Sequence, residues 1–177
     1  SVVNKAISIA LQSLTKDLGH VLEPSCGSGE FVTAMKERLP KCAITGIEYN
    51  KKIYQQVRCL ESSLDGVQIL NSDFLMWNAP RRYRIIVGNP PYFVMPKAEV
   101  DEYYYTFFTG RPNIFIIFLI KCLNLLEKDG VLSFVLPRNF LNSSYYQATR
   151  KYIFDNFTIL DIIDVNSTSG DVEGVGK

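Results

Sequence analysis

The chain has 177 residues, 47% of them hydrophobic, and a formal net charge of +1. That size and composition support one domain, spanning residues 1–177, with a real core and little room for a second. The balance of charge excludes a globally basic or acidic protein, so any nucleic-acid surface must be local or lie on a segment outside this chain.

The predicted elements alternate between helix and strand. Val3, Ile7, Leu11, Leu14 and Leu18 recur at helical spacing, and Gly19 suits a left-handed cap. Val21–Glu23 reads as the first strand. A helix follows from Glu30 to Leu39, with Phe31, Ala34, Met35 and Leu39 on one face and Pro40 as its stop. Ala43–Glu48 is a second strand, and Asn50 is placed to cap a helix whose inner face carries Ile53, Val57 and Leu60. Val67–Leu70 and Arg84–Val87 are strands three and four. Pro112 opens a nearly all-apolar helix through Leu126, closed by Asp129 and Gly130. Val131–Leu136 is strand five, Ser143 or Ser144 caps a helix through Phe154, and Ile159–Asp164 is strand six. Such alternation, with several strands apolar on both faces, predicts an α/β fold: a mostly parallel sheet covered by helices on both sides. Open sheets of this kind bind ligands beyond the carboxyl ends of their strands.

The chemistry-bearing residues fall at those ends. Strand one runs into "EPSCGSGEF", where Gly27 and Gly29 allow a tight turn and close approach of a ligand to a helix N-terminus. Glu23 beside that turn would repel a pyrophosphate, so a nucleoside cofactor with a cationic group, such as S-adenosylmethionine, fits better. Strand two ends in Glu48, about 20 residues beyond the glycines and able to accept from ribose hydroxyls. Strand three is followed by Asp73, a possible acceptor for an adenine amino group, and Phe74, a possible packing partner for its ring. The plain alternatives are an Asx-turn and core packing.

Strand four stops at Gly88 and gives way to "NPPY". Proline ends the ladder and holds the preceding residue extended, so Asn89 lies past the sheet edge. The Asn89 side-chain oxygen and the Pro90 carbonyl are two fixed acceptors suited to the two hydrogens of a planar amino group, and Tyr92 can stack on the ring that bears it. No histidine, cysteine or serine nucleophile is required.

In order, "VLEPSCGSGEF", "GIEYN", "NSDFLMW", "GNPPY", "RPNIFIIFLIKCLNLLEKDGVLSFVLP" and "ILDIIDV" resemble the motifs of N6-adenine DNA methyltransferases. The resemblance is to the gamma class of restriction–modification systems, the Taq methyltransferase type, and it covers nearly the whole chain. It implies a Rossmann-like class I S-adenosylmethionine-dependent fold and methylation of N6 of a flipped adenine in DNA. Glu23, Ser25, Gly27 and Gly29 would border the methionine part of S-adenosylmethionine. Glu48 would hold the ribose with Tyr49 beside the adenine, Asp73 would bind the adenine amino group, and Phe74 and Phe118 would pack on that base. Asn89, Pro90 and Tyr92 would bind the target adenine, with Pro91 and Phe93 alongside. Family features expected but not found are a cofactor-contacting segment upstream, a seventh strand, an aromatic clamp where Val172 falls, and a target-recognition domain or subunit. The start at Ser1 and the open end at Gly-Val-Gly-Lys likewise suggest a fragment of a longer protein.

Arg81, Arg82 and Arg84 enter strand four at the opposite edge and read as a solvated turn, whereas Lys97, Arg111 and Arg138 follow strands four and five and suit phosphate contacts. "KAEVDEYYYTFFTGRPN" is a long irregular loop that either closes over substrate or is anchored by its tyrosines. The scattered Cys26, Cys42, Cys59 and Cys122 suggest reduced thiols in a cytoplasmic protein with no metal site. No signal peptide opens the chain, and the longest apolar run, Ile114 to Ile120, is too short for a bilayer. Two other readings remain open: the same chemistry on RNA adenine or a release-factor glutamine amide, and a non-catalytic scaffold.

Overall fold

The computed structural model describes residues 2–12 and 19–165. Five strands form one sheet in the order β3-β2-β1-β4-β5, and each pairing is parallel. They are β1 His20–Glu23, β2 Ala43–Glu48, β3 Val67–Asn71, β4 Tyr83–Gly88 and β5 Leu126–Phe134. The helices are α1 Val2–Gln12, α2 Glu30–Arg38, α3 Lys51–Val57, the short α4 Leu60–Ser63, α5 Ile114–Asn124 and α6 Gln147–Asn156. The expected Leu14 and Leu18 of the first helix lie outside the described residues.

Alternation along the strands divides the core in two. Val21 of β1 and Ile85 and Val87 of β4 face α1 and α2, packing with Ile7, Val32 and Met35. Leu22 and Ile86 face the other way, into a cluster built on α5. That helix buries nine of its eleven residues, which explains its apolar sequence, and Asn113 caps it by accepting from Phe115 N. Asn50 caps α3 as expected, accepting from Lys52 N and Ile53 N.

The loop between β4 and α5 is anchored rather than open. Its two ends meet in a short antiparallel bridge, Val94 with Asn113. Its middle forms two 3-10 turns, Lys97–Glu99 and Glu102–Phe107, and buries Val100, Phe107 and Phe108. The fully buried Thr149 of α6 donates to the Phe107 carbonyl at 2.5 Å and fixes the loop from behind.

Three expectations are corrected. Asp129 and Gly130 do not close α5: that helix ends at Asn124, and both residues lie within β5, which starts at Leu126. Residues 159–164 are not a strand: among the described residues no ladder joins them to β5, and Ile159, Leu160, Ile162 and Ile163 are exposed. A strand exists only through its partner, and an apolar-rich stretch alone does not make one. The outer edge of β5 therefore borders a groove of about 1550 Å³ that reaches α1 and α6 and whose lining includes Val135 and Arg138. The reading of the arginines at the start of β4 as a solvated turn holds only in part: Arg81 and Arg82 are exposed, but all three side chains have partners. Arg82 donates to the Asn124 and Leu126 carbonyls at 2.8 and 3.0 Å, Arg84 donates to Lys128 O at 2.7 Å, and Arg81 meets His20 Nε2. Arg82 and Arg84 brace the amino edge of the sheet against the end of α5 and the start of β5.

Thr149→Val keeps the volume and leaves the Phe107 carbonyl without its donor. We expect a loss of about 1–3 kcal/mol in urea unfolding, with the β4–α5 loop more exposed to proteolysis. Unchanged stability would mean the loop holds without this bond.

Candidate active site

All five strands present their carboxyl ends on one edge, and the order reverses between β1 and β4, which opens a crevice there. The β1–α2 and post-β4 loops meet in it: Ser25 Oγ donates to the Asn89 backbone carbonyl at 3.1 Å. Glu23 lies at the base, 1% exposed, with Oε1 accepting from Ser25 N at 3.1 Å. A Cβ on Gly88 would collide with that oxygen, which is why the apolar run of β4 ends in glycine. Burial, reinforced by the nearby Glu48 charge, raises the Glu23 pKa from 4.5 to about 8. A buried carboxyl of this kind is suited to a cation.

Glu48 links the next two loops. Its Oε2 accepts from Gly27 N at 3.0 Å and its Oε1 from Asn50 N at 2.6 Å. Each oxygen keeps a second lone pair for a ligand. Asn71 donates to the Glu48 and Tyr49 carbonyls and so holds the end of β2. Gly29 has φ +83°, and a Cβ there would come within 2.5 Å of Leu60 Cδ1, so the turn into α2 requires glycine. Tyr49 and Met76, at neighbouring strand ends, are 77% and 79% exposed.

After β3, Asp73 forms the Asx-turn weighed as the plain alternative: Oδ1 accepts from Leu75 N at 2.9 Å. Its Oδ2 accepts no hydrogen bond among the described residues and is left for a ligand donor. Phe74 and Phe118 do not offer a stacking face. They are 2% and 6% exposed and pack on each other with centroids 4.8 Å apart, so they form the floor beneath the site.

After β4, Pro90 is buried, and no hydrogen bond reaches its carbonyl among the described residues. The Tyr92 ring sits edge-on to Phe115, and its hydroxyl touches both Asn89 Oδ1 and the Val135 carbonyl, the latter at 2.6 Å. Burial raises its pKa to about 12, so the phenol keeps its proton, yet one hydrogen cannot serve two acceptors. With the Asn89 amide turned over, its NH2 donates to Tyr92, Tyr92 donates to Val135, and Oδ1 is left as an acceptor.

Pro91 is half-buried and Phe93 exposed beside this loop. Of the cationic candidates, Lys97 lies over the Tyr105 ring at 4.4 Å, Arg111 is exposed, and Arg138 pairs with Asp164 at 3.0 Å. None of the four cysteines is in a disulfide, and burial pushes the Cys26 and Cys122 thiols up. Among the described residues there is no metal-ligating cluster and no helix long and apolar enough to cross a membrane.

Asn71 and Lys121 were not foreseen as contributors. The only signal for Lys121 was one charge in an apolar helix. Its Nζ donates to the carbonyls of Phe74, Leu75 and Trp77.

The Eco57I restriction-modification methylase family matches residues 5–170. The modification methylase CviBIII of Paramecium bursaria Chlorella virus NC1A is 37% identical over 84% of this chain and 40% of its own length. The type II methyltransferase M.CvrRI of Paramecium bursaria Chlorella virus XZ-6E is 33% identical over 80% of this chain and 36% of its own. The chain thus spans well under half the length of these relatives. Among solved structures, a Listeria monocytogenes protein described as a putative class I S-adenosylmethionine-dependent methyltransferase superposes with a TM-score of 0.73 at 16% identity. That match covers 88% of this chain and 50% of the other.

Glu23 binds a proton in the folded protein that the unfolded chain has already released above pH 4.5. Its contribution to stability is therefore full below pH 4.5 and is lost as pH rises to about 8. Glu23→Gln should flatten that part of the stability profile, leaving the variant more stable than wild type at pH 8 by up to about 5 kcal/mol. Parallel profiles for the two proteins would show that Glu23 is not a buried acid.

Proposed function

We propose, from the premise that the chain belongs to the Eco57I restriction-modification methylase family and takes S-adenosylmethionine as its cofactor, that it methylates N6 of an adenine flipped out of duplex DNA. The observation that carries this reading is the post-β4 loop. The unengaged Pro90 carbonyl follows Asn89, whose backbone Ser25 ties to the loop of Glu23 at 3.1 Å. An acceptor pair for an amino group thus lies beside a carboxyl suited to a cation.

The residues fit the cofactor. Glu23 would face its cationic methionine end, with Ser25 and the Gly27–Gly29 turn allowing close backbone approach. Glu48 would accept from the ribose hydroxyls through its remaining lone pairs, Tyr49 would lie along the adenine, and Asp73 Oδ2 would accept from its amino group. When bound, the cofactor supplies an electrophilic methyl group.

The chain supplies position and polarity. An adenine amino nitrogen is a poor nucleophile because its lone pair is delocalised into the ring. Asn89 Oδ1 and the Pro90 carbonyl would each accept one amino hydrogen, favouring a pyramidal nitrogen with its lone pair directed at the methyl. In-line positioning of this kind is worth about 7–11 kcal/mol of a barrier. Extrusion of the base costs roughly a few kcal/mol. Stacking on Tyr92, with Pro91 and Phe93 around it, offsets about 1–3 kcal/mol of that. Lys97, Arg111 and Arg138 are the candidates for phosphate contacts, Arg138 by exchanging Asp164 for a phosphate. Selection of a target sequence would fall to a further domain or subunit.

The test is transfer of labelled methyl by the full-length protein to duplex DNA, RNA and a release-factor protein in parallel, with the product identified by mass. N6-methyladenine in DNA is expected. Asn89→Ala should lower kcat by about 10²–10³-fold with S-adenosylmethionine still bound. Label confined to RNA or protein would overturn the DNA assignment, and full activity of the Asn89 variant would overturn the mechanism.

A further inference from the structure

Lys121 is the one charged residue of α5, and its ammonium does not reach solvent freely. Its Nζ donates to the backbone carbonyls of Phe74, Leu75 and Trp77 at 2.7, 2.8 and 2.8 Å, which uses all three of its hydrogens. It also lies 5.0 Å from the centroid of the Phe74 ring. All three carbonyls belong to a single helical turn, in which Met76 N and Trp77 N donate to the Asp73 carbonyl at 3.1 and 2.9 Å. The same turn orients the Asp73 carboxylate, because Oδ1 is held by Leu75 N.

We propose that Lys121 is a positioning residue for cofactor recognition: by gathering the carbonyl end of the turn after β3, it aims Asp73 Oδ2 at the exocyclic amino group of the cofactor's adenine. The proposal rests on the assignment of Asp73 to that amino group. The physical reason is geometric. A turn of five residues has too few internal hydrogen bonds to hold its own shape, and its last carbonyls have no helical partner. α5 is almost wholly buried between the sheet and the loops, so a side chain rooted there is a fixed post. Lysine is suited to the task because an ammonium offers three donors to three converging acceptors, whereas a neutral side chain offers at most two. Without the ammonium, the three carbonyls would turn toward water and carry the Asx-turn, and with it Oδ2, out of register.

The test compares binding of S-adenosylhomocysteine with that of S-inosylhomocysteine, which replaces the amino group by a carbonyl. Wild type should prefer the adenine form by about 10–100-fold, the discrimination of a charged hydrogen bond. Lys121→Met should lose most of that preference, and Lys121→Arg should recover part of it. In turnover, K121M should raise KM for S-adenosylmethionine about tenfold with little change in kcat, since the target-binding loop after β4 is not held by this clamp. A protein merely loosened by the substitution would lose affinity for both ligands alike. Should K121M not fold, Lys121→Gln is measured in the same way. Wild type without preference would overturn the Asp73 assignment and the inference with it. Wild-type preference fully retained in the variant would overturn the inference alone.

Discussion

The burial of the Glu23 carboxyl, where the strand order reverses, is the constraint on which the rest of the site depends. A carboxylate enclosed between β1 and β4 is costly without a cation, and here the nearest charge is another carboxylate, Glu48. Its neighbours are fitted to it. β4 must end in a residue without a side chain, Ser25 N must point back at Oε1, and the chain leaving Gly88 must turn away at once. Asn89 and the two prolines are that departure. The feature that weakens the isolated domain at high pH is thus also the one that prepares it for a positively charged ligand.

Around this point the strand-end loops are bound to one another more than to their own strands. Ser25 holds Asn89, Glu48 holds Gly27 and Asn50, Asn71 holds the end of β2, and Lys121 holds the turn after β3. Except for the local Glu48–Asn50 bond, each link joins residues more than twenty positions apart in sequence. A site made of four loops would otherwise be mobile. Cross-linked in this way, its acceptors are set before any ligand arrives, which is where most of the advantage of a positioned site comes from.

The periodic elements were legible because their causes are local. β2 has the bounds that its apolar run implies, Asn50 caps the helix it precedes, and "NPPY" marks the end of β4. Other residues were legible only as alternatives. Asp73 carries an Asx-turn with one oxygen and leaves the other open, so both readings of it hold in part. Phe74 and Phe118 face each other because α5 lies directly beneath the turn after β3, a contact between residues 44 positions apart that no pattern in either segment implies.

Composition and order by themselves determined an α/β sheet, the placing of acidic residues and asparagine at successive strand ends, and the resemblance to adenine methyltransferases. These follow from periodicity, breaker residues and motif order, all of which act over a few neighbouring residues. Only the tertiary structure decided that residues 159–164 form no strand among the described residues, that Arg82 and Arg84 brace the sheet edge, and that Lys121 serves the turn after β3. The physical reason is common to all three. Pairing, desolvation and hydrogen-bond satisfaction depend on what the fold brings alongside a residue, and the donor or acceptor that decides its role comes from elsewhere in the chain.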